Sequence, residues 1–308
     1  MVKYNAFAKV NLGLSIVGKR QDGYHEIETL MVAVDLFDVV EVKETSQGLT
    51  VICPDLPDVP EDCNLAYRAA NRFIGEETYG TNGFEIRLTK SIPVGSGLGG
   101  GSSDAAAVLL AMRDLICSGG RKTIDDLTHM ASEIGSDVPF FLGANSNPSL
   151  WNAALCRGRG EKVEEVKGGP FWLVTVFPQL SVGTRWAYNQ WDILNPSCDY
   201  KTHVTCDEKR YKIDKVLDAF SQGNPEMLGE AVFNDFEMPV GNFYPEICVI
   251  KDALVLAGAY GACMTGSGSA VYGICDSFEH GVAVKQRFLE LVPNKIGIVD
   301  VKILKTRG

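Results

Sequence analysis

The chain is short of positive charge, histidine and tryptophan. Its 308 residues hold 29 Lys and Arg against 39 Asp and Glu, a net charge of −10, with four histidines and four tryptophans. That deficit argues against a surface that coats nucleic acid or anionic lipid, while leaving room for a local basic cleft. No apolar run approaches the ~18 residues a membrane helix needs. The N-terminal residues do not follow the charged-then-apolar pattern of a secretory signal. The nine cysteines are scattered, odd in number and never spaced Cys-x-x-Cys. A disulfide framework or structural zinc site is therefore not expected, and a cytoplasmic setting is. With 45% hydrophobic and 22% charged residues the bulk is not disordered.

What the chain does have is patterning and glycine. Its length suggests two domains, or one large one. Ala8 to Leu14 alternates, with Val10, Leu12 and Leu14 on one face and Lys9, Asn11 and Gly13 on the other. Asp22-Gly23 marks a turn, and Tyr24 to Val42 reads as two further strands. Phe84 to Leu88 alternates again. The period then becomes helical from Ala105 to Ile116, stopping at Gly119-Gly120, and a second helix capped by Thr123 runs to Ile134. Past Gly168-Gly169-Pro170 come a strand at Phe171–Val176 and helices at Tyr211–Phe220 and Ile247–Ala257. Strands at Ala262–Met264 and Ala270–Cys275, a helix near Val282–Leu291 and a last strand at Ile296–Leu304 follow. This alternation predicts an α+β sandwich.

Glycine is concentrated in Pro93-Val94-Gly95-Ser96-Gly97-Leu98-Gly99-Gly100-Gly101-Ser102-Ser103-Asp104-Ala105-Ala106, with five glycines in the seven positions 95–101. Backbone N–H groups can converge there with no Cβ in the way. The Ser-Ser-Asp segment opens a helix whose N-terminus attracts an anion, so loop and helix together make a phosphate cradle. The plainer alternative is a surface loop before a capped helix. A Walker A loop is excluded because no Gly-Lys-Ser/Thr closes the run. A dinucleotide fold lacks its acidic partner on a second strand, and neither His-Arg-Asp nor Asp-Phe-Gly of the protein kinases occurs.

Pro-x-x-x-Gly-Leu-Gly-Gly-Gly-Ser-Ser-Asp-Ala-Ala resembles the ATP-binding motif of the GHMP (galacto-, homoserine, mevalonate, phosphomevalonate) small-molecule kinases. Two more stretches resemble that family in the expected order: Ala8-Lys9-Val10-Asn11-Leu12-Gly13-Leu14 and Met264-Thr265-Gly266-Ser267-Gly268-Ser269-Ala270. Within the family, Lys19–Ile27, Ile134–Phe141 and Arg157-Gly158-Arg159-Gly160-Glu161 are similar to the branch whose acceptor is a small-molecule cytidine diphosphate compound. The resemblance covers nearly the whole chain and departs at Ala144–Leu155 and Trp191–Glu208.

The resemblance implies a two-domain kinase, divided at about 1–160 and 161–308, with its site in the cleft between the halves and ATP and Mg²⁺ as cofactors. It also implies that Lys9 and Asp137 meet beside the acceptor hydroxyl. A carboxylate there can accept the hydroxyl proton, and a lysine can keep it ionised and face the developing charge. On residue type alone, Asp137 reads equally as a helix cap and Lys9 as an edge-strand charge. ATP is expected against Asn64, Leu65, Lys90, Pro93, Gly95, Ser96, Gly97, Leu98, Gly99, Gly100, Gly101, Ser102 and Ser103. Ser102 and Ser103 can cap the helix, and Ser103 is a candidate Mg²⁺ ligand. The resemblance puts the cytosine against Tyr24 and His25, with Asn11, Thr184, Tyr188, Gly266 and Ser267 on the acceptor side. Packing is the competing role for Tyr24 and His25. Another acceptor, such as mevalonate, homoserine or a sugar, and a nucleotide-binding member without activity are the alternatives.

Overall fold

A computed structural model describes residues 1–56, 59–76, 83–116, 123–146, 148–196, 206–292 and 296–307. The expected Gly119-Gly120 stop and the middle of the Trp191–Glu208 segment lie outside these. The elements in chain order are β1 (Val2–Lys19), β2 (His25–Thr45), β3 (Leu49–Ile52), α1 (Leu65–Glu76), β4 (Gly83–Thr89), α2 (Gly100–Ile116) and α3 (Ile124–Ile134). Next come α4 (Val138–Asn145), β5 (Ala153–Gly158), β6 (Lys162–Glu165), β7 (Trp172–Pro178), α5 (Thr184–Leu194), α6 (Cys206–Gln222) and α7 (Pro225–Ala231). The chain finishes with β8 (Phe233–Asn234), α8 (Glu237–Gly241), α9 (Pro245–Leu256), β9 (Ala262–Met264), β10 (Val271–Cys275), α10 (Phe278–Leu291) and β11 (Ile298–Lys305). Mixed sheets with segregated helices make this the expected α+β fold.

Two sheets organise the molecule. The seven-stranded sheet runs β3-β4-β2-β1-β8, with β5 on β2 and β6 on β5. The four-stranded sheet runs β11-β7-β10-β9. β8 flanks β1 only at Gly13 and Leu14; at Lys9 the strand pairs with Ala33 of β2 on one side and donates its N–H to the Leu98 carbonyl at 3.0 Å on the other, so Lys9 is buried and not the solvated edge-strand charge its type also allowed. One strand, β2 (His25–Thr45), stands where two were expected over Tyr24–Val42. Phe7 pairs with Phe37 and Ala8 with Val34, so Asp35 and Leu36 fall out of register. That irregularity bends β2 without ending it.

β1 contributes to all three hydrophobic clusters. Tyr4 and Ala6 join the cluster beneath α1, α2 and α4; Ala8, Val10 and Leu12 join one with Phe171, Phe220 and Tyr272; Leu14 and Ile16 join one with Phe236, Ile250 and Phe288. The alternation read from Ala8 to Leu14 holds as far as Leu12, with Val10 and Leu12 facing core and Lys9 and Asn11 facing the cleft; an irregularity between Asn11 and Gly13 then reverses it, so that Leu14 lines the cleft and Gly13 packs against Ile213, Val216 and Phe233. α2 is buried from Ser103 through Met112, which is why its run of alanine, leucine and valine carries little polar face. Among the described residues no helix is long and apolar enough to cross a membrane.

Candidate active site

The loop between β4 and α2 closes one side of a cleft of about 500 Å³. Gly97 has φ +81°, and a Cβ there would lie 2.2 Å from the Thr265 carbonyl oxygen. Gly266, at φ +56°, would meet the Gly97 carbonyl oxygen at 2.9 Å. The two glycine turns thus pack backbone against backbone, tied by Ala270 N–H donating to the Ser96 carbonyl at 3.1 Å. Asn234, on β8, donates from Nδ2 to the carbonyls of Met264 at 2.7 Å and Gly266 at 2.8 Å, anchoring the second turn from below.

α2 starts at Gly100, earlier than the Ser-Ser-Asp segment suggested, with Ser103 N–H already donating to the Gly99 carbonyl at 2.9 Å. Ser102 and Ser103 therefore sit inside the first turn and neither is the N-cap. Ser103 is fully buried and its hydroxyl meets Asn145, whose Nδ2 donates to it at 3.0 Å. Ser102 lines the cleft and Ser103 does not. The candidate for a metal-facing hydroxyl is accordingly Ser102. Among the described residues no group of three or more His, Cys, Asp or Glu is placed to hold a metal ion.

At the far side of the loop Lys9 is 3% exposed. Its Nζ donates to Asn11 Oδ1 and stands 3.8 Å from Asp137 Oδ2. Asn11 continues the chain, donating from Nδ2 to Thr29 Oγ1 at 2.8 Å, and Thr29 donates to the Gly13 carbonyl at 2.7 Å. Burial pushes the Lys9 pKa down from its usual 10.5, and the Asp137 carboxylate opposes that push. Asp137 occupies the N-cap position of α4 yet makes no side-chain capping bond. Its carboxylate is left to the cleft.

Lys90, expected beside phosphate, lines the cleft but is claimed by two buried carboxylates: its Nζ donates to Asp38, and to Asp104 Oδ2 at 2.5 Å. Burial works against its charge, but Asp104 and Asp38 outweigh it and raise the pKa. Burial pushes Asp104 up to about 7, with Lys90 pulling the other way and Asp38 adding to the rise. Asp104 Oδ1 is buried with no hydrogen-bond partner.

Asn64, Leu65, Pro93 and the 95–102 loop all line this cleft with Lys9 and Asp137. So do Asn11, Thr184, Tyr188, Gly266 and Ser267. Thr184 and Tyr188 share a face of α5, and the Thr184 and Ser267 hydroxyls meet at 2.9 Å. Burial, with the Asp137 charge adding, pushes the Tyr188 phenol well up.

Tyr24 and His25 are not on the cleft wall. Tyr24 is 54% exposed, with the Arg159 guanidinium 4.9 Å from its ring centroid. His25 is buried: its ring stacks on Tyr188 at 4.5 Å, and Nε2 lies 2.6 Å from Asp192 Oδ1. Asp192 also accepts from Lys19 at 2.5 Å. Burial would raise the Asp192 pKa, but the bonds from Lys19 and His25 hold it below the usual carboxylate range. Asp104, Arg159 and Phe236 line the cleft and Asp192 holds His25, and none of the four was among the expected site residues; Asp104 and Arg159 did lie within motifs, Ser-Ser-Asp-Ala-Ala and Arg-Gly-Arg-Gly-Glu.

A glycine cradle at a helix start, facing a buried lysine and an uncommitted aspartate, is the arrangement of a small-molecule kinase. The chain belongs to the GHMP kinases: the profile for the GHMP kinases N terminal domain matches residues 64–144, and that for GHMP kinases C terminal matches 216–294. It is an ATP-dependent kinase of that family. Among curated relatives, 4-diphosphocytidyl-2-C-methyl-D-erythritol kinase of Pelotomaculum thermopropionicum is 38% identical over 98% of this chain and 96% of its own. The enzyme of the same name from Chlorobaculum tepidum is 36% identical, covering 92% and 93%. A crystal structure of 4-(cytidine 5'-diphospho)-2C-methyl-D-erythritol kinase superposes with TM-score 0.75 at 31% identity, covering 100% of both chains. Homoserine kinase from Cytophaga hutchinsonii shares the fold at TM-score 0.75 and 21% identity, covering 98% of this chain and 93% of its own.

Proposed function

We propose that this chain transfers the γ-phosphate of ATP to the 2-hydroxyl of 4-diphosphocytidyl-2-C-methyl-D-erythritol, in the non-mevalonate route to isoprenoid precursors, in the cytoplasm. The observation that carries the chemistry is the Lys9–Asp137 pair, 3.8 Å apart at the mouth of the glycine cradle. The acceptor is supported by relatives of that name at 38% and 36% identity, each matched over more than nine-tenths of this chain.

In this reading Asp137 accepts the hydroxyl proton as the acceptor oxygen bonds to the γ-phosphorus. The bond from that phosphorus to the β–γ bridging oxygen breaks, and ADP leaves. Lys9 keeps the carboxylate ionised and faces the charge that develops on the transferring group. Lys9 is itself oriented by Asn11 and Thr29. The 95–101 loop and the start of α2 hold the nucleotide phosphates, with Asn64 and Leu65 beside the base.

Magnesium fits this wall only as a guest of the nucleotide. Ser102 would offer a hydroxyl, phosphates and water would complete the oxygen shell, and the ion would neutralise phosphate charge. The presence of both Lys9 and Asp137 in one cleft disfavours a binding-only member. Phosphorus NMR of the product tests the assignment. A new phosphomonoester on the acceptor, with its diphosphate intact, is expected; ATP consumption that leaves the acceptor unmodified contradicts it.

A further inference from the structure

Among the described residues five basic or carboxyl side chains line the cleft: Lys9, Lys90, Asp104, Asp137 and Arg159. Lys9 answers Asp137, and Lys90 is held between Asp38 and Asp104. Arg159 is placed differently. Its Nη2 donates to the Ser132 carbonyl at 3.2 Å, and its ion pair is with Glu161, whose Oε2 lies 3.9 Å from Nε. That separation is too long for a hydrogen bond. A guanidinium carries five N–H donors, so most of this one's capacity is unspent among the described residues.

The backbone around Arg159 spans the two ends of the proposed acceptor. Its guanidinium lies over the Tyr24 ring at 4.9 Å from the centroid, on the side where the base is expected. A Cβ on the very next residue, Gly160, would lie 3.6 Å from Asp137 Oδ1, where the hydroxyl reacts. A molecule with its base near Tyr24 and its hydroxyl at Asp137 carries its diphosphate between the two. The nucleotide's own phosphates have the glycine cradle. We infer that Arg159 binds the diphosphate of the acceptor through its guanidinium fork, so that it selects a nucleoside diphosphate acceptor over an uncharged one. This rests on the acceptor reading above. Arginine suits the task because its planar donors match two phosphate oxygens at once, and the ring beneath it preserves its orientation.

Calorimetric titration of the full chain with cytidine 5'-diphosphate and with cytidine tests this, with the ATP site filled by a non-hydrolysable ATP analogue and Mg²⁺. Arg159→Gln is expected to weaken cytidine 5'-diphosphate by about 10- to 100-fold, the worth of charged hydrogen bonds. Cytidine affinity should stay within about twofold, which also reports that the variant is folded. Arg159→Lys, with the charge but not the fork, should fall between. In turnover, the acceptor KM rises while the ATP KM holds.

Equal weakening of both ligands would mean that Arg159 only supports the Tyr24 ring, and unchanged diphosphate affinity would mean it binds nothing there; either overturns the inference and leaves the acceptor reading standing. Wild-type protein that binds neither ligand overturns the acceptor reading itself, and the inference with it.

Discussion

Asp137 stands where a carboxylate ordinarily serves its own helix, and it does not. That unspent side chain, 29% exposed beside a lysine that is only 4% exposed, is the residue-scale basis of the mechanism. Asp137→Asn keeps the shape and loses the proton acceptor. Turnover should fall by about 10²–10⁴ while ATP affinity is unchanged, read by single-turnover rates and nucleotide titration. Near-normal turnover would remove Asp137 from the chemistry. Lys9 predicts a pH limb. Burial lowers its pKa from 10.5, so it loses its proton on the alkaline side before an exposed lysine would, and kcat should begin to fall below pH 10.5. A profile flat to that pH contradicts the role given to its charge.

Asp104 predicts a pH-dependent stability. Its native pKa is about 7 against 3.8 for the free side chain, so between those values the native state holds a proton that the unfolded chain has released. Stability conferred by the neutral carboxyl is present at low pH and lost as pH rises from about 4 to about 7. Relative to Asp104→Asn, the wild type should lose on the order of a few kcal/mol across that window, measured as urea midpoints at pH 5 and pH 8. A constant difference would contradict it. None of this was legible beforehand, because Asp104 read as one more polar residue at a helix start. The groups that shift it besides burial, Asp38 and Lys90, are 66 and 14 positions away.

At the scale of elements, the glycine loop and the helix after it were readable because their chemistry is local. Glycine density, a capping cluster and a change of period all lie within one stretch of chain. The helix boundary was not, since Gly99 and Gly100 let the first turn form before the serines that ordinarily mark it. α1 escaped notice although Ala66, Ala69, Ala70 and Phe73 recur at helical spacing on its core face, three of the four being small. β2 was read as two strands, and Asp38 within it was given no role. Asp38 is instead fully buried, accepting from the Ile92 N–H at 2.8 Å.

The packing of turn on turn separates glycines by what surrounds them. Gly97→Ala would force a Cβ to 2.2 Å from the Thr265 oxygen at φ +81°, whereas the nearest atom to a Cβ on Gly101 is Leu65 Cδ1 at 3.7 Å. Gly97→Ala should therefore destabilise by at least about 1–2 kcal/mol and weaken ATP binding. Gly101→Ala should melt close to wild type. Equal melting temperatures for the two variants would show that the turns do not meet as described.

For the whole molecule, the charge of −10 and the anionic ligands are reconciled inside one cleft. Lys9 is answered there by Asp137 and Lys90 by Asp38 and Asp104, which leaves the Arg159 guanidinium, the glycine-loop N–H groups and the start of α2 to face anionic phosphates. The sequence motifs lay far apart along the chain, and what joins them is β1. It runs through all three hydrophobic clusters and carries Lys9 and Asn11 to the cleft. No periodicity could have placed β8 beside it, since that pairing spans two residues, Phe233 and Asn234, and is decided by tertiary packing. His25 shows the same limit: its partner Asp192 lies 167 positions further along the chain.

The central claim is the identity of the acceptor, and steady-state ADP release across a panel of acceptors tests it most directly. With saturating ATP and Mg²⁺, kcat/KM should be highest for 4-diphosphocytidyl-2-C-methyl-D-erythritol, with mevalonate and homoserine near background. Preferred turnover of mevalonate or homoserine, or ATP binding with no turnover of any acceptor, would contradict it.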